Sequence, residues 1–303
     1  MHLEKCRGRG LCGKVIWHYS VLGGLSICWW LTDNDNVLED YLMIGVFDSG
    51  LGGLSVLAAI DRLLPKSDLL YFADTAHMPY GEKSDAFVRE RVLSIGRFFA
   101  GQGCQQIVIA CNTATAAALE ALQEALPNIP IVGTEPGVKP AVAASKSARI
   151  AVLCTVSTAR SKRLAGLIER HAKNVHVDVL PCPGWAPHVE SLQLNDPEFD
   201  DSARKYLEPV LASGADQIVI GCTHYTFLVP ILEPIVAGRA AFVDVADTVA
   251  QQCQRFASNK EGEQGKITLL ATATPERLQK ALSVFGLASI MARLSGPARL
   301  SEV

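Results

Sequence analysis

Residues 106–113 read QIVIACNT and residues 217–224 read QIVIGCTH. Five of the eight positions are identical, Cys111 and Cys222 stand 111 residues apart, and each run follows a short glycine-containing turn, Gly103-Cys104-Gln105 or Gly214-Ala215-Asp216. The offset is too long for a solenoid repeat and suits a duplicated α/β domain. A QIVI run alone is ordinary for a buried strand. A cysteine after a small residue, followed by polar residues in both copies, makes coincidence a poor account.

Outward from the repeat, short apolar runs alternate with helical stretches from Met43 onward, the pattern of parallel α/β sheets with covered faces. Strands are predicted at 44–47, 69–73, 106–110, 131–133, 150–153, 175–180, 217–220, 241–243 and 267–270. The stretch 114–125, ATAAALEALQEA, is rich in strong helix formers and stops before Pro127.

The chain has 303 residues, 49% of them apolar, enough for two cores of ordinary domain size. Its net charge is -3 with Lys and Arg scattered, which gives no footprint for nucleic-acid phosphates. Nine cysteines without a tight CxxC pair argue against both a disulfide framework and a zinc ribbon, and point to a reducing, cytoplasmic setting. Residues 1–42 stand apart: a basic start (Lys5, Arg7, Arg9, Lys14), an apolar run over 15–31, then an acidic stretch over 33–40. The start resembles a signal peptide, but His18 and Trp29-Trp30 fit one poorly and the run is short for a spanning helix. An unstructured extension or an early start codon is the reading taken, with a signal or anchor and a regulatory arm as alternatives; no membrane partner is expected.

Ligands of open parallel sheets bind beyond the carboxyl ends of the strands, where Cys111 and Cys222 both fall. Each is followed by residues that can open a helix, whose unpaired N–H groups favour anions. That field is expected to draw a thiol from roughly 8.5 toward neutrality, so that it can act as acid or base. Two such groups, one from each half, suit inversion of a stereocentre, where a proton leaves one face of a carbon and another arrives on the opposite face. Asn112, Thr113, Thr223 and His224 add donors beside the thiols.

Three further stretches belong at the same edge. FDSGLGG (47–53) sets Asp48 and Ser49 at a strand end, with glycines that let backbone approach a ligand; it lacks the spacing of a nucleotide loop. Tyr80 and Gly81 lie in a loop long enough to cover a site, and Glu190 ends PCPGWAPHVE. A zinc site on Cys222 and His224 lacks further ligands at compatible spacing, and a Cys/His hydrolase leaves Cys111 unexplained. Cys104, Cys154, Cys182 and Cys253 are read as small buried apolar residues.

FDSGLGG, MPYGEKS, ACNTAT, TEPGVKPA and GCTHY, in this order, resemble the glutamate racemases of bacterial cell-wall synthesis over roughly residues 43–287. The resemblance implies racemisation of glutamate for peptidoglycan without pyridoxal phosphate, metal or nucleotide, usually by a homodimer. It implies two similar parallel-sheet α/β domains of pseudo-twofold relation: 43–137 with 246–288, and 138–245, leaving 289–303 as a tail. By the same resemblance Cys111 acts on the D-enantiomer and Cys222 on L-glutamate, assisted by Asp48, His224 and Glu190. Asp48, Ser49, Tyr80, Gly81, Asn112, Thr113, Thr155, Thr223 and His224 match substrate-binding positions.

The chain departs from the family pattern at Ser157 in LCTVSTARS, where glycine is usual, at Thr226 and at His188. Ser157 bears on Thr155 and Thr158, which the resemblance sets near the substrate's side-chain carboxylate. Aspartate and hydantoin racemases and a maleate isomerase share the two-cysteine plan, and the GCTHY context favours glutamate. An inactive paralogue that binds a partner predicts loss of one cysteine, and both are present.

Overall fold

The computed structural model describes residues 42–256 and 265–303, together with a short antiparallel pair, Val21–Leu22 with Leu25–Ser26. The rest of the N-terminal extension, with the signal-like run read there, lies outside the described residues. Residues 42–303 carry two sheets.

Ten strands build these sheets: β1 (Met43–Asp48), β2 (Asp68–Ala73), β3 (Gln106–Ile109), β4 (Ile131–Gly133), β5 (Arg149–Cys154), β6 (His176–Pro181), β7 (Gln217–Gly221), β8 (Ala241–Val243), β9 (Ile267–Ala271) and β10 (Arg299–Leu300). The first sheet runs β10-β9-β2-β1-β3-β4 and the second β8-β7-β5-β6, every pairing parallel. Parallel strands are covered on both faces, so their residues are apolar without alternation. Accordingly β3 and β7, the two QIVI runs, are buried at every position.

The duplication is visible in the topology. The order β2-β1-β3-β4 recurs as β6-β5-β7-β8, and the register agrees: Phe47 pairs with Ile109 as Leu153 pairs with Ile220. The chain leaves β1 to one side and returns to its other side, and does the same around β5. Each sheet therefore has its reversal of strand order, where such folds bind ligands, beside a QIVI strand.

Helices behave as composition dictates. The helix Asn112–Ala125 buries Ala114, Ala118, Leu119 and Leu122, a stripe at three- and four-residue spacing. It packs tightly on the helix Asp85–Gly101, where an added Cβ at Gly96 would stand 2.3 Å from Leu122. Residues 289–303, expected as a tail, instead carry β10 on the edge of the first sheet, and Arg293 is buried in an ion pair with Asp61. A two-residue strand of exposed side chains has no apolar run to announce it.

Candidate active site

Carboxyl ends of both sheets meet at one cleft of about 50 Å³. Ser49, Tyr80, Gly81, Cys111, Asn112 and Thr113 line it from the first sheet, and Thr155, Cys182, Cys222 and His224 from the second. Both thiols of the repeat thus face the same space. Asp48, Glu190 and Thr223, predicted with them, do not line it; they are buried one layer behind.

Cys111 caps the helix Asn112–Ala125 in an extended conformation, and its Sγ lies 3.9 Å from Ser49 Oγ, which donates to Asp48 Oδ1 at 3.4 Å. The helix was expected to bring this thiol toward neutrality. It does not: burial pushes the Cys111 thiol up, the charge of Asp48 adds to the rise, and the backbone N–H of Ala114 offsets only part of it. Desolvation outweighs the field of a single helix end.

The carboxyl group of Asp48 is fully buried and also held above the ordinary range, by burial first, against the opposing pull of His224 and of hydrogen bonds from Gly50 N–H (3.0 Å) and Thr223 Oγ1 (2.9 Å). Thr223 belongs to the other half of the duplication, so this carboxylate is held from both sheets.

Cys222 has a different backing. It is followed by a 3₁₀ segment, Thr223–Leu228, and its Sγ lies 3.8 Å from His224 Nδ1. On the far side of the ring Nε2 meets Glu190 Oε1 at 2.7 Å, and the same oxygen accepts the Leu51 N–H at 2.6 Å. Burial opposes a charge on His224, but hydrogen bonds with Cys222 and Glu190 outweigh it and hold the imidazole well above its ordinary value. Each half thus lends a donor to the other's carboxylate.

The glycines of FDSGLGG approach side chains rather than a ligand. A Cβ at Gly50 would stand 1.9 Å from Glu190 Oε1, one at Gly52 2.4 Å from His224 Nδ1, and one at Gly53 2.6 Å from Asp48 Cβ. The loop must be bare for these three groups to sit where they do.

Opposite, Thr155 caps the helix Val156–Arg160 by accepting from Thr158 N–H, and its hydroxyl meets those of Thr113 (2.9 Å) and Thr158 (3.0 Å). Ser157 leaves this geometry intact. The other departures have structural employment: the His188 ring stacks on Phe199 at 4.3 Å, and Thr226 donates to Asp244. Asn112 Nδ2 donates to the Thr134 carbonyl at 3.1 Å, which turns its amide along the cleft wall.

Two features were missed in the sequence. Cys182, read as plain core, is buried in the core of the second half as expected and also borders the cleft. Tyr80 is pinned by Asp74, which accepts its hydroxyl (2.5 Å) along with Arg91 (2.8 and 2.9 Å), His77 (2.9 Å) and Thr272 (3.1 Å). Burial resists ionisation of Asp74, yet hydrogen bonds from Arg91, Tyr80 and His77 prevail and keep its carboxyl below the usual range. An aspartate directly after an apolar strand was the available signal. Among the described residues no group of three or more His, Cys, Asp or Glu could hold a metal ion, and no helix is long and apolar enough to cross a membrane.

A pair of cleft-facing thiols, each backed by a buried carboxylate, is the arrangement of an acid/base isomerase. The family model for Asp/Glu/hydantoin racemases matches residues 44–253, and the chain belongs to that family. It is 45% identical over 245 residues to a glutamate racemase of Pseudomonas putida, covering 80% of this chain and 92% of that one. It is similar to the crystal structure of Escherichia coli glutamate racemase with L-glutamate and the activator UDP-MurNAc-ala (TM-score 0.75, 28% identity, 87% of this chain and 99% of that one). The glutamate racemase of Thermus thermophilus with beta-chloro-D-alanine also aligns (TM-score 0.70, 36% identity, 86% of this chain and 96% of that one).

Proposed function

We propose that the protein interconverts L- and D-glutamate by proton exchange at Cα, supplying the D-enantiomer for peptidoglycan, with Cys111 and Cys222 as the two acid/base groups. The observation that carries this reading is that both thiols line one cleft from opposite sheets, as removal from one face and delivery to the other demand. The relatives named above are glutamate racemases, which favours glutamate over aspartate or a hydantoin.

Substrate itself resolves the raised thiol of Cys111. The ammonium of an amino acid brings a positive charge beside Cys111, where the charge of Asp48 otherwise opposes ionisation, and an opposite charge favours the thiolate. One thiolate then takes the α-proton while the thiol across the cleft gives its own to the other face, and the reverse direction exchanges the roles. On the resemblance, Cys111 serves the D-enantiomer and Cys222 the L. No cofactor is needed in this scheme; the carbanion relies on Asn112, Thr113 and the N–H groups opening the helix Asn112–Ala125. The hydroxyls of Thr155 and Thr158 suit the side-chain carboxylate. Asp48, Glu190 and Thr223 position the reacting groups from behind.

We divide the chain at 137/138 and 245/246, where it passes between the sheets, and read it as a cytoplasmic homodimer. Light scattering on eluted fractions tests the dimer. L-glutamate in D2O with no added cofactor, followed by circular dichroism and NMR, tests the activity. Optical activity should decay to zero with deuterium entering Cα; unchanged glutamate, or turnover of aspartate alone, overturns the reading.

A further inference from the structure

We infer that Tyr71 is a positioning residue for the Cys222 half of the site, acting through the peptide unit between Gly50 and Leu51. This rests on the two-thiol reading above. Tyr71 lies on β2, is fully buried, and does not line the cleft. Its hydroxyl donates to the Gly50 carbonyl at 2.7 Å, while the N–H of the same peptide unit, that of Leu51, donates to Glu190 Oε1 at 2.6 Å. One hydrogen bond therefore sets the plane from which the other departs. Onward, Glu190 Oε1 holds His224 Nε2 at 2.7 Å, and His224 Nδ1 faces Cys222 Sγ at 3.8 Å. A side chain rooted in the first sheet so reaches a thiol of the second through four successive contacts.

The peptide needs this restraint because of what flanks it. Gly50 must lack a Cβ, since one would stand 1.9 Å from Glu190 Oε1, and a glycine leaves the peptide plane freer to turn than any other residue does. Turned over, the unit would offer Glu190 a carbonyl oxygen instead of an N–H. A buried tyrosine hydroxyl normally finds a partner; here the partner is the carbonyl of the peptide unit that holds Glu190. Burial first, and then the charges of Asp48 and Glu190, raise the Tyr71 hydroxyl well above its ordinary value and keep it a donor.

Tyr71→Phe in the full chain removes the hydroxyl and little else. The expected result is a fall of about tenfold in kcat with KM within about twofold, the loss in kcat/KM being equal in both directions because the enantiomers have equal energy. A carboxylate that loses a donor holds a shared proton more tightly, so the ring nitrogens of His224, which faces Cys222, Glu190 and Asp48, should titrate higher in ¹⁵N spectra. A folded variant with kcat and the His224 titration unchanged, or with a lower melting temperature alone, overturns the inference. Should the variant not fold, 3-fluorotyrosine at position 71, a stronger donor, must move the His224 resonances, and their standing still also overturns it. The titration is read without turnover, so an inactive native protein would sink the proposed function and leave this test intact.

Discussion

Strand β1 ends on Asp48, and its counterpart in the duplication, β5, ends on Cys154: the first pairs with Ala73 of β2 as the second pairs with Pro181 of β6. The first half thus has a carboxylate at the strand end, next in the chain to Ser49, whose hydroxyl meets the Cys111 thiol. In the second half that position is a thiol packed among Val138, Val152 and Leu164. Cys222 obtains its carboxylate elsewhere, from Glu190 at the end of the helix Trp185–Glu190, with His224 between. Duplicated strands have kept the thiol in place while the group behind it was solved twice. The two-thiol chemistry proposed above requires equivalent thiols, not equivalent surroundings.

The broadest test of this comparison removes the thiols. Cys111→Ala and Cys222→Ala should each cut racemisation by about a thousandfold or more, since every turnover needs one acid and one base; polarimetry on variants with native far-ultraviolet spectra checks it. Unequal losses would show that one half carries the reaction alone.

Next in size is Glu190→Gln, expected to lower kcat by about a hundredfold. Glu190 is one cause of the raised imidazole, so its loss should bring the alkaline limb of the kcat profile to lower pH. The sign for stability is the same group seen from the other side. A His224 pKa raised in the folded state gives stability that is full below the imidazole's ordinary value and is lost as pH climbs through the folded one.

Asp48→Asn should separate activity from stability. The Asp48 carboxyl is held above its ordinary value, so the fold favours its protonated form, and stability falls as pH rises through the folded pKa. An amide there should raise the melting temperature at neutral pH, remove that downward slope above the ordinary carboxylate range, and cost about tenfold in kcat. Calorimetry across that range, with parallel rates, would decide. The smallest effect is reserved for Ser157→Gly: with Thr155 still capping its helix, KM for glutamate should change by less than about threefold.

Much of this was legible in the sequence because strands with both faces buried are written as unbroken apolar runs. QIVI appears twice, and the residues after it fall where α/β sheets bind ligands, so Cys111, Cys222, Asn112, Thr113 and His224 were found from local pattern. What was hidden depends on the third dimension. Nothing local tells that Cys111 is buried deeply enough for desolvation to defeat its helix, or that Asp48 and Thr223 stand behind the wall rather than in it. Arg91 meets Asp74 across 17 residues and β10 joins β9 at the far end of the chain, contacts that no periodicity encodes.

The bare loop at Gly50, Gly52 and Gly53 gives the site an unusual mutational profile. Scans that truncate side chains to alanine regard glycine as having nothing to lose, yet here adding one methyl group intrudes on Glu190, His224 or Asp48. Selection at these three positions acts against the presence of any side chain at all. A drifting lineage should find them as forbidding as the cysteines, although none of them exchanges a proton.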